Sequence, residues 1–327
     1  MKAFLRLVRW PNLLIVALTM VLMRYAVIEP IISKINVVLL KGTGEAIPME
    51  LKFQWYDFML LVLITVFITA GGYIINDYFD IKTDIINKGR VIVGTKISRR
   101  EAIMWHSIFN IAGVAAGFYI SWRSGYIWMG ALFLAVSGLL YFYSASYKRQ
   151  FLIGNIIVAI LTAMVPLLVV LYEWPALYKY YAVNAVEIPK FDFINYWVGG
   201  FALFAFLTTL TREIIKDIED FEGDIAYGRN TVPIVIGVLN AKILSVSLVI
   251  ITIALLYLTW YYFVNDTITL IYTSSVITLP LLYVIYKVVR SQNKNQLHIT
   301  SRIMKYVMLS GILYSIVVKI ILTWNLY

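Results

Sequence analysis

Apolar residues in this chain gather into nine long runs instead of alternating or recurring at amphipathic spacing. The runs lie near 12–29, 55–75, 103–121, 126–143, 152–172, 196–212, 243–263, 268–286 and 304–324. About 20 such residues in a helix cross the roughly 30 Å hydrocarbon layer of a bilayer. No water reaches backbone N–H and C=O groups there, so a run of this kind must satisfy them internally, as a helix. The pattern predicts an all-α, polytopic membrane protein with nine transmembrane helices in a bundle. The third and fourth runs are parted only by a turn at Trp122-Arg123-Ser124-Gly125, the seventh and eighth by Asn265-Asp266. The longer connections on that side are 30–54 and 173–195. No polar stretch is long enough for a soluble domain. The first run, with no small-x-small site before Arg24 or Tyr25, reads as a span and not as a cleaved signal.

Composition agrees: 61% of residues are apolar and 14% charged, against about 25% charged in a soluble domain. Cysteine is absent, which excludes disulfides, a thiol nucleophile and thiolate metal ligands. The net charge of +10 would suggest nucleic acid in a soluble protein, but its distribution gives another reason. Of the 28 basic residues, 20 fall on the side of the N-terminus and only 6 on the other, with Arg24 and Lys319 inside spans. That asymmetry is the positive-inside signature. It predicts a multi-pass protein of the cell (cytoplasmic) membrane with a cytoplasmic N-terminus and Tyr327 outside, and it leaves no role for nucleic acid. Arg24 and Lys319 are intramembrane charges and so functional suspects by type, but each has a route to snorkel toward the outer face, and both are left unassigned.

The few acids are placed in a pattern. One cluster runs Asn76-Asp77-Tyr78-Phe79-Asp80-Ile81-Lys82-Thr83-Asp84, the other Asp217-Ile218-Glu219-Asp220-Phe221-Glu222-Gly223-Asp224. Each follows the cytoplasmic end of a span, the second and the sixth. On continuous helices each cluster would present its carboxylates within an arc of about 100°. Like charges at that spacing repel, so the repeated arrangement predicts a bound cation. Oxygen donors without thiol or imidazole suit Mg²⁺, which keeps waters and takes up substrate phosphate oxygens. The expected metal set is Asn76, Asp80 and Asp84 with Asp217, Asp220 and Asp224, and Asp77 orients its neighbours. A diphosphate held at the mouth of an apolar bundle implies an apolar tail, as in allylic isoprenoid diphosphates, and a central cavity open to the cytoplasmic side. An allylic cation needs aromatic faces, for which Tyr141, Tyr143 and Tyr147, at the end of the fourth span, are the candidates. Lys148, Arg90 and Arg212 are candidate phosphate contacts. Asn12 has two uses open to it, reaching the site or bonding a neighbouring helix. His106 and His298 are too far apart in sequence to suggest a metal pair.

These residues resemble the UbiA-type intramembrane prenyltransferase family over nearly the whole chain. The resemblance is carried by Arg9-Trp10-Pro11-Asn12, by Ala70 to Asp84 (AGGYIINDYFDIKTD), by Ile97 to Ala102 (ISRREA), by YSASYKR with Gly154-Asn155, and by Arg212 to Gly237 (REIIKDIEDFEGDIAYGRNTVPIVIG). It implies one transmembrane prenyltransferase domain over 1–327 and Mg²⁺-dependent transfer of a prenyl group to a lipid-soluble acceptor. It implies Asp80, Asp84, Asp220, Lys148 and Tyr143 as catalytic residues. Substrate contacts would come from Arg9, Asn12, Asn76, Asp77, Arg90, Lys148, Tyr147 and Arg212. The run R-E-I-x-K-D-I-E-D-x-E-G-D is most similar to the archaeal digeranylgeranylglyceryl phosphate synthase branch. That similarity implies geranylgeranyl transfer to geranylgeranylglyceryl phosphate, forming an ether. One departure is Asn87-Lys88-Gly89-Arg90-Val91-Ile92-Val93-Gly94, which lacks the prolines the family commonly carries there. The expected partners are the prenyl diphosphate, the acceptor and membrane lipids, with no obligate protein partner. The alternatives are an aromatic acceptor of quinone synthesis and, in another class, an ion-coupled transporter. Transporter acids sit near the bilayer midplane, whereas these gather at helix ends.

Overall fold

The computed structural model describes residues 1–40, 44–89 and 91–324. Among them nine helices are long and apolar enough to cross a membrane. A short helix α1 (Lys2–Leu7) leads into the first span, α2 (Trp10–Ile32). Then come α3 (Trp55–Phe79), a short α4 (Ile81–Lys88), α5 (Arg99–Ser124), α6 (Ile127–Ala145), α7 (Ile153–Asn184) and α8 (Phe193–Glu219). Two more short helices, α9 (Phe221–Ala226) and α10 (Val232–Ile236), precede α11 (Val238–Val264), α12 (Thr267–Arg290) and α13 (Lys294–Trp324). Strands β1 (Asn36–Val38) and β2 (Ala46–Pro48) pair antiparallel, Asn36 against Pro48, beyond the end of α2. Starts are fixed by local chemistry. Ser98 and Glu101 form a reciprocal capping box at the head of α5, and Asp266 caps α12.

Several helices outrun their apolar stretches. The connection expected at 173–195 is mostly helix, because α7 continues to Asn184. The apolar run stops at Glu173, but that carboxylate is paired and the helix goes on. Likewise α13 starts at Lys294, ten residues before the expected 304, and α8 runs past 212 to Glu219.

Arg24, left unassigned from sequence, turns inward and is the partner of Glu173. Within α2 the turn Met23–Ile28 is π-helical, a local widening that re-aims side chains. The Arg24 side chain is 2% exposed and its Nε stands 3.1 Å from Glu173 Oε2. It also donates to the Phe53 carbonyl and lies 4.6 Å over the Phe58 ring. Glu173 Oε1 accepts from the backbone N–H groups of Lys52 and Phe53 at 2.8 and 3.0 Å. One buried ion pair thus ties α2, α7 and the segment entering α3. Lys319 is half-exposed, with Nζ 3.0 Å from the Tyr25 carbonyl.

The bundle packs in two groups that matter for the site. Helix α3 lies along α5 and α6, and α8 lies along α7, α11 and α13. The short helices α4 and α9, one following each acidic motif, pack on each other.

Candidate active site

The two acidic motifs are built alike. Helix α3 ends at Phe79, Asp80 takes φ −90°, ψ 2°, and α4 begins at Ile81. Helix α8 ends at Glu219, Asp220 takes φ −94°, ψ 9°, and α9 begins at Phe221. Neither array therefore lies on one continuous helix, and the shared arc expected from sequence is replaced by a bend at the middle aspartate. That backbone conformation is sparsely populated and recurs in active sites. The bends turn α4 and α9 toward each other. Gly223 has the Asn87 side-chain amide where a Cβ would stand, so a larger residue here would displace that amide.

One cavity of about 1060 Å³ receives both arrays. Asn76, Asp77, Asp80 and Asp84 line it from the first motif, and Asp217, Asp220 and Asp224 from the second. The carboxylates are held by cations and amides. Asp80 Oδ1 stands 2.8 Å from Lys148 Nζ and 2.6 Å from Arg229 Nη2. Arg229 Nη1 lies 3.2 Å from Asp224 Oδ1, so one guanidinium spans the two motifs. Lys148 also donates to Asn76 Oδ1 at 3.2 Å, and Asn155 Nδ2 donates to Asp217 Oδ2 at 2.8 Å. Arg9, in the left-handed region at φ 51°, places Nη2 2.8 Å from Asp77 Oδ1.

Lys148 reaches the acids from the turn Tyr147–Arg149, which rests on α7 at Gly154. A Cβ on Gly154 would meet Lys148 Cα at 2.7 Å. Burial pushes the Lys148 amine down to about 8, against the pull of Asp80. Burial alone would raise the Asp80 carboxyl, but Lys148 and then Arg229 hold it below the ordinary carboxylate range. Asp224, buried and beside Asp220, is pushed up to about 6 despite Arg229.

The other expected residues divide. Asn12, Tyr143 and Arg212 line the cavity. Asn12 also donates to Tyr73 Oη at 3.2 Å, so it bonds its neighbour helix and faces the cavity at once. Tyr147 is absent from the lining and packs toward Phe142, and Tyr141 meets Phe79 edge to face. Tyr141 lies two residues before Tyr143 on α6, about 200° away round the helix, and Tyr147 lies in the turn beyond its end, so Tyr143 alone of the three lines the wall. Arg90 lies outside the described residues. His106 contacts the Gly71 carbonyl and His298 pairs with Glu219, well apart. Arg229 was missed by sequence reasoning, which counted it only toward topology. Its one signal was its place five residues beyond Asp224. From the acids the cavity extends into apolar space past Val16, Ile68, Phe133 and Leu168 to Met23.

Among the described residues no three carboxylates or histidines converge on one point as a closed metal cage. Mg²⁺ does not require one, since it binds through one or two carboxylates with waters and phosphate oxygens. An all-oxygen set from two motifs on facing walls fits an ion shared with a substrate.

Residues 43–309 match the pattern of the UbiA prenyltransferase family. The chain belongs to that family. It is therefore a prenyltransferase by membership and an integral multi-pass membrane protein. Curated relatives include the digeranylgeranylglyceryl phosphate synthase of Methanosphaera stadtmanae, 33% identical over 78% of this chain and 85% of that protein. The enzyme of the same name from Thermococcus kodakarensis is 33% identical over 73% and 77%. Among solved structures, a digeranylgeranylglyceryl phosphate synthase shares the fold with a TM-score of 0.63 at 23% identity, covering 96% of this chain and 98% of that one. A UbiA homologue from Archaeoglobus fulgidus, bound to DMAPP and Mg²⁺, aligns with a TM-score of 0.53 at 20% identity over 96% and 99%.

Proposed function

We propose that this family member transfers the geranylgeranyl group of geranylgeranyl diphosphate to the free hydroxyl of geranylgeranylglyceryl phosphate, forming an ether, in a Mg²⁺-dependent reaction. The observation that carries this reading is the meeting of both oxygen-donor motifs over one cavity that continues into apolar space. Arg9, at the head of α2, and Met23, within it, both line that cavity. The 14-residue step from one to the other corresponds to about 20 Å along a helix, room for a long extended tail. The curated relatives that share a third of their residues with this chain carry the corresponding name.

Asn76, Asp80, Asp84, Asp217, Asp220 and Asp224 hold Mg²⁺ and the diphosphate. Bound Mg²⁺ neutralises the negative charge that grows on the departing diphosphate. Lys148 and Arg229, already at Asp80, supply donors to the diphosphate oxygens, and Arg9 fixes Asp77. The allylic carbon separates from the diphosphate as a cation beneath the Tyr143 ring, whose face stabilises positive charge. The acceptor oxygen then forms the new C–O bond and its proton passes to the released diphosphate or to a motif carboxylate. The whole chain, 1–327, acts as one domain in the cytoplasmic membrane. Its N-terminus and the cavity mouth face the cytoplasm.

The test is product identification by mass spectrometry. Membranes holding the protein, labelled geranylgeranyl diphosphate and Mg²⁺ are given geranylgeranylglyceryl phosphate or an aromatic acid. A diether phosphate from the first is the expected product. A prenylated aromatic ring with no diether would overturn the acceptor assignment.

A further inference from the structure

The cavity holds a second charged group, apart from the ion pairs that engage the aspartates. On α8, Arg212 Nη1 stands 2.5 Å from Glu213 Oε1 and Lys216 Nζ 3.2 Å from Glu213 Oε2. Lys305 of α13 also lines the cavity and lies in the field of Arg212, Lys216 and Arg9. The antiparallel pairing of α8 and α13 brings it there. Gly311 is pressed against the Phe204 ring, and His298 meets Glu219 at 2.8 Å. Midway between those two contacts, Lys305 falls opposite the turn that carries Thr209 and Arg212.

Arg212, Lys216 and Lys305 are three cations against Glu213 and the adjacent Asp217, which leaves this wall with a net positive charge. Two buried polar atoms on the same wall have no hydrogen-bond partner, Thr209 Oγ1 and Arg212 Nε. Their spacing of three residues puts them on one face of α8, and both residues line the cavity. Buried donors left unpaired are costly, so the wall suits an anion. A phosphate monoester carries about −1.5 to −2 charge near neutral pH and offers three strong acceptor oxygens. The place also fits. Arg212 lies five residues before Asp217 on α8, about 7.5 Å along the helix, so an anion held here sits near the second acid array without touching it. In a glyceryl phosphate the nucleophilic hydroxyl and the phosphate share one three-carbon backbone, which carries the hydroxyl from this site toward that array.

We infer that Thr209, Arg212, Lys216 and Lys305 form the binding site for the phosphate monoester of the acceptor, separate from the site that takes the diphosphate. This rests on the acceptor class proposed above. The site orients the acceptor hydroxyl toward the allylic carbon and holds the acceptor phosphate along α8, apart from the acids that take the diphosphate.

The experiment measures KM for each substrate with the full chain in membranes and Mg²⁺ present, for wild type, Lys305→Gln and the near-isosteric Thr209→Val. The dephosphorylated acceptor, geranylgeranylglycerol, serves as the control. The expected result for Lys305→Gln is a rise of about tenfold in KM for geranylgeranylglyceryl phosphate, the scale of one charge-assisted hydrogen bond. KM for geranylgeranyl diphosphate should not move, and wild type and variant should use the dephosphorylated acceptor equally poorly. Thr209→Val should shift the same parameter in the same direction. An unmoved acceptor KM in both variants, or a parallel rise in the diphosphate KM, overturns the inference while the proposed function stands. A wild-type protein that prenylates a different acceptor and never geranylgeranylglyceryl phosphate removes both.

Discussion

Asp80 shows how much one residue carries at this site. It ends α3, bends the chain into α4 and receives both Lys148 and Arg229. Asp80→Ala leaves those two cations adjacent with no anion between them, and Asp220→Ala removes the corresponding carboxylate of the second motif. Each variant is expected to lose Mg²⁺-dependent transfer by at least about a hundredfold, measured as product per mole of protein correctly inserted in membranes. Activity near wild type in either would remove the site assigned here. Arg24 belongs to stability. Arg24→Met strands the Glu173 carboxylate, which is 1% exposed, and should lower unfolding stability in detergent by about 3–5 kcal/mol. Glu173→Gln keeps an acceptor for the Lys52 and Phe53 N–H groups and should cost less than Glu173→Leu. Equal losses in the last two would show that these backbone contacts contribute nothing.

At the scale of elements, the site depends on two short helices that carry no apolar run of their own. Helices α4 and α9 pack on each other and hold Asp84 and Asp224, with Gly223 set against the Asn87 side chain. Gly223→Val forces that contact apart. The expected effect is a rise in the Mg²⁺ concentration needed for half-maximal rate, with helix content by circular dichroism unchanged. An unaltered Mg²⁺ dependence would show that the α4–α9 contact does not set the spacing of the arrays. Sequence reading found both acidic motifs from their repetition at the ends of two spans. It treated each as one helix because nothing in Asp80 or Asp220 marks them as bends; either residue is compatible with a helix end or a helix interior. The extension of α7 past Glu173 was hidden for a related reason, since its tolerance of a charge depends on Arg24, 149 residues away.

For the whole molecule, the distribution of Lys and Arg predicts an orientation of the bundle, and the absence of cysteine makes that orientation directly measurable. Single substitutions Lys34→Cys and Lys96→Cys place one thiol in each of two connections on opposite sides. A membrane-impermeant maleimide added to intact cells should label the first and spare the second, and both should react after lysis. The reverse pattern would invert the topology and place the acid arrays outside, where no cytoplasmic prenyl diphosphate could reach them. The same arrangement gives the cavity its polarity, with charge at the mouth where solvated ligands arrive and apolar walls in the depth of the bilayer, where a hydrocarbon tail loses nothing by leaving lipid.

The sequence by itself determined the nine spans, their orientation signal and the two oxygen-donor motifs, because each is written in local composition. Twenty apolar residues must form a helix in hydrocarbon whatever surrounds them, and clustered acids repel wherever they fold. Tertiary structure decided what depends on meeting. It brought Arg229 across to both motifs, turned Arg24 inward to Glu173, carried Tyr143 to the cavity and left Tyr147 away from it. It also set Lys305 beside Arg212. Those choices follow from helix register, from the bends at two aspartates and from close approaches at Gly154, Gly223 and Gly311. They are made by contacts between residues far apart in the chain, which no local pattern encodes.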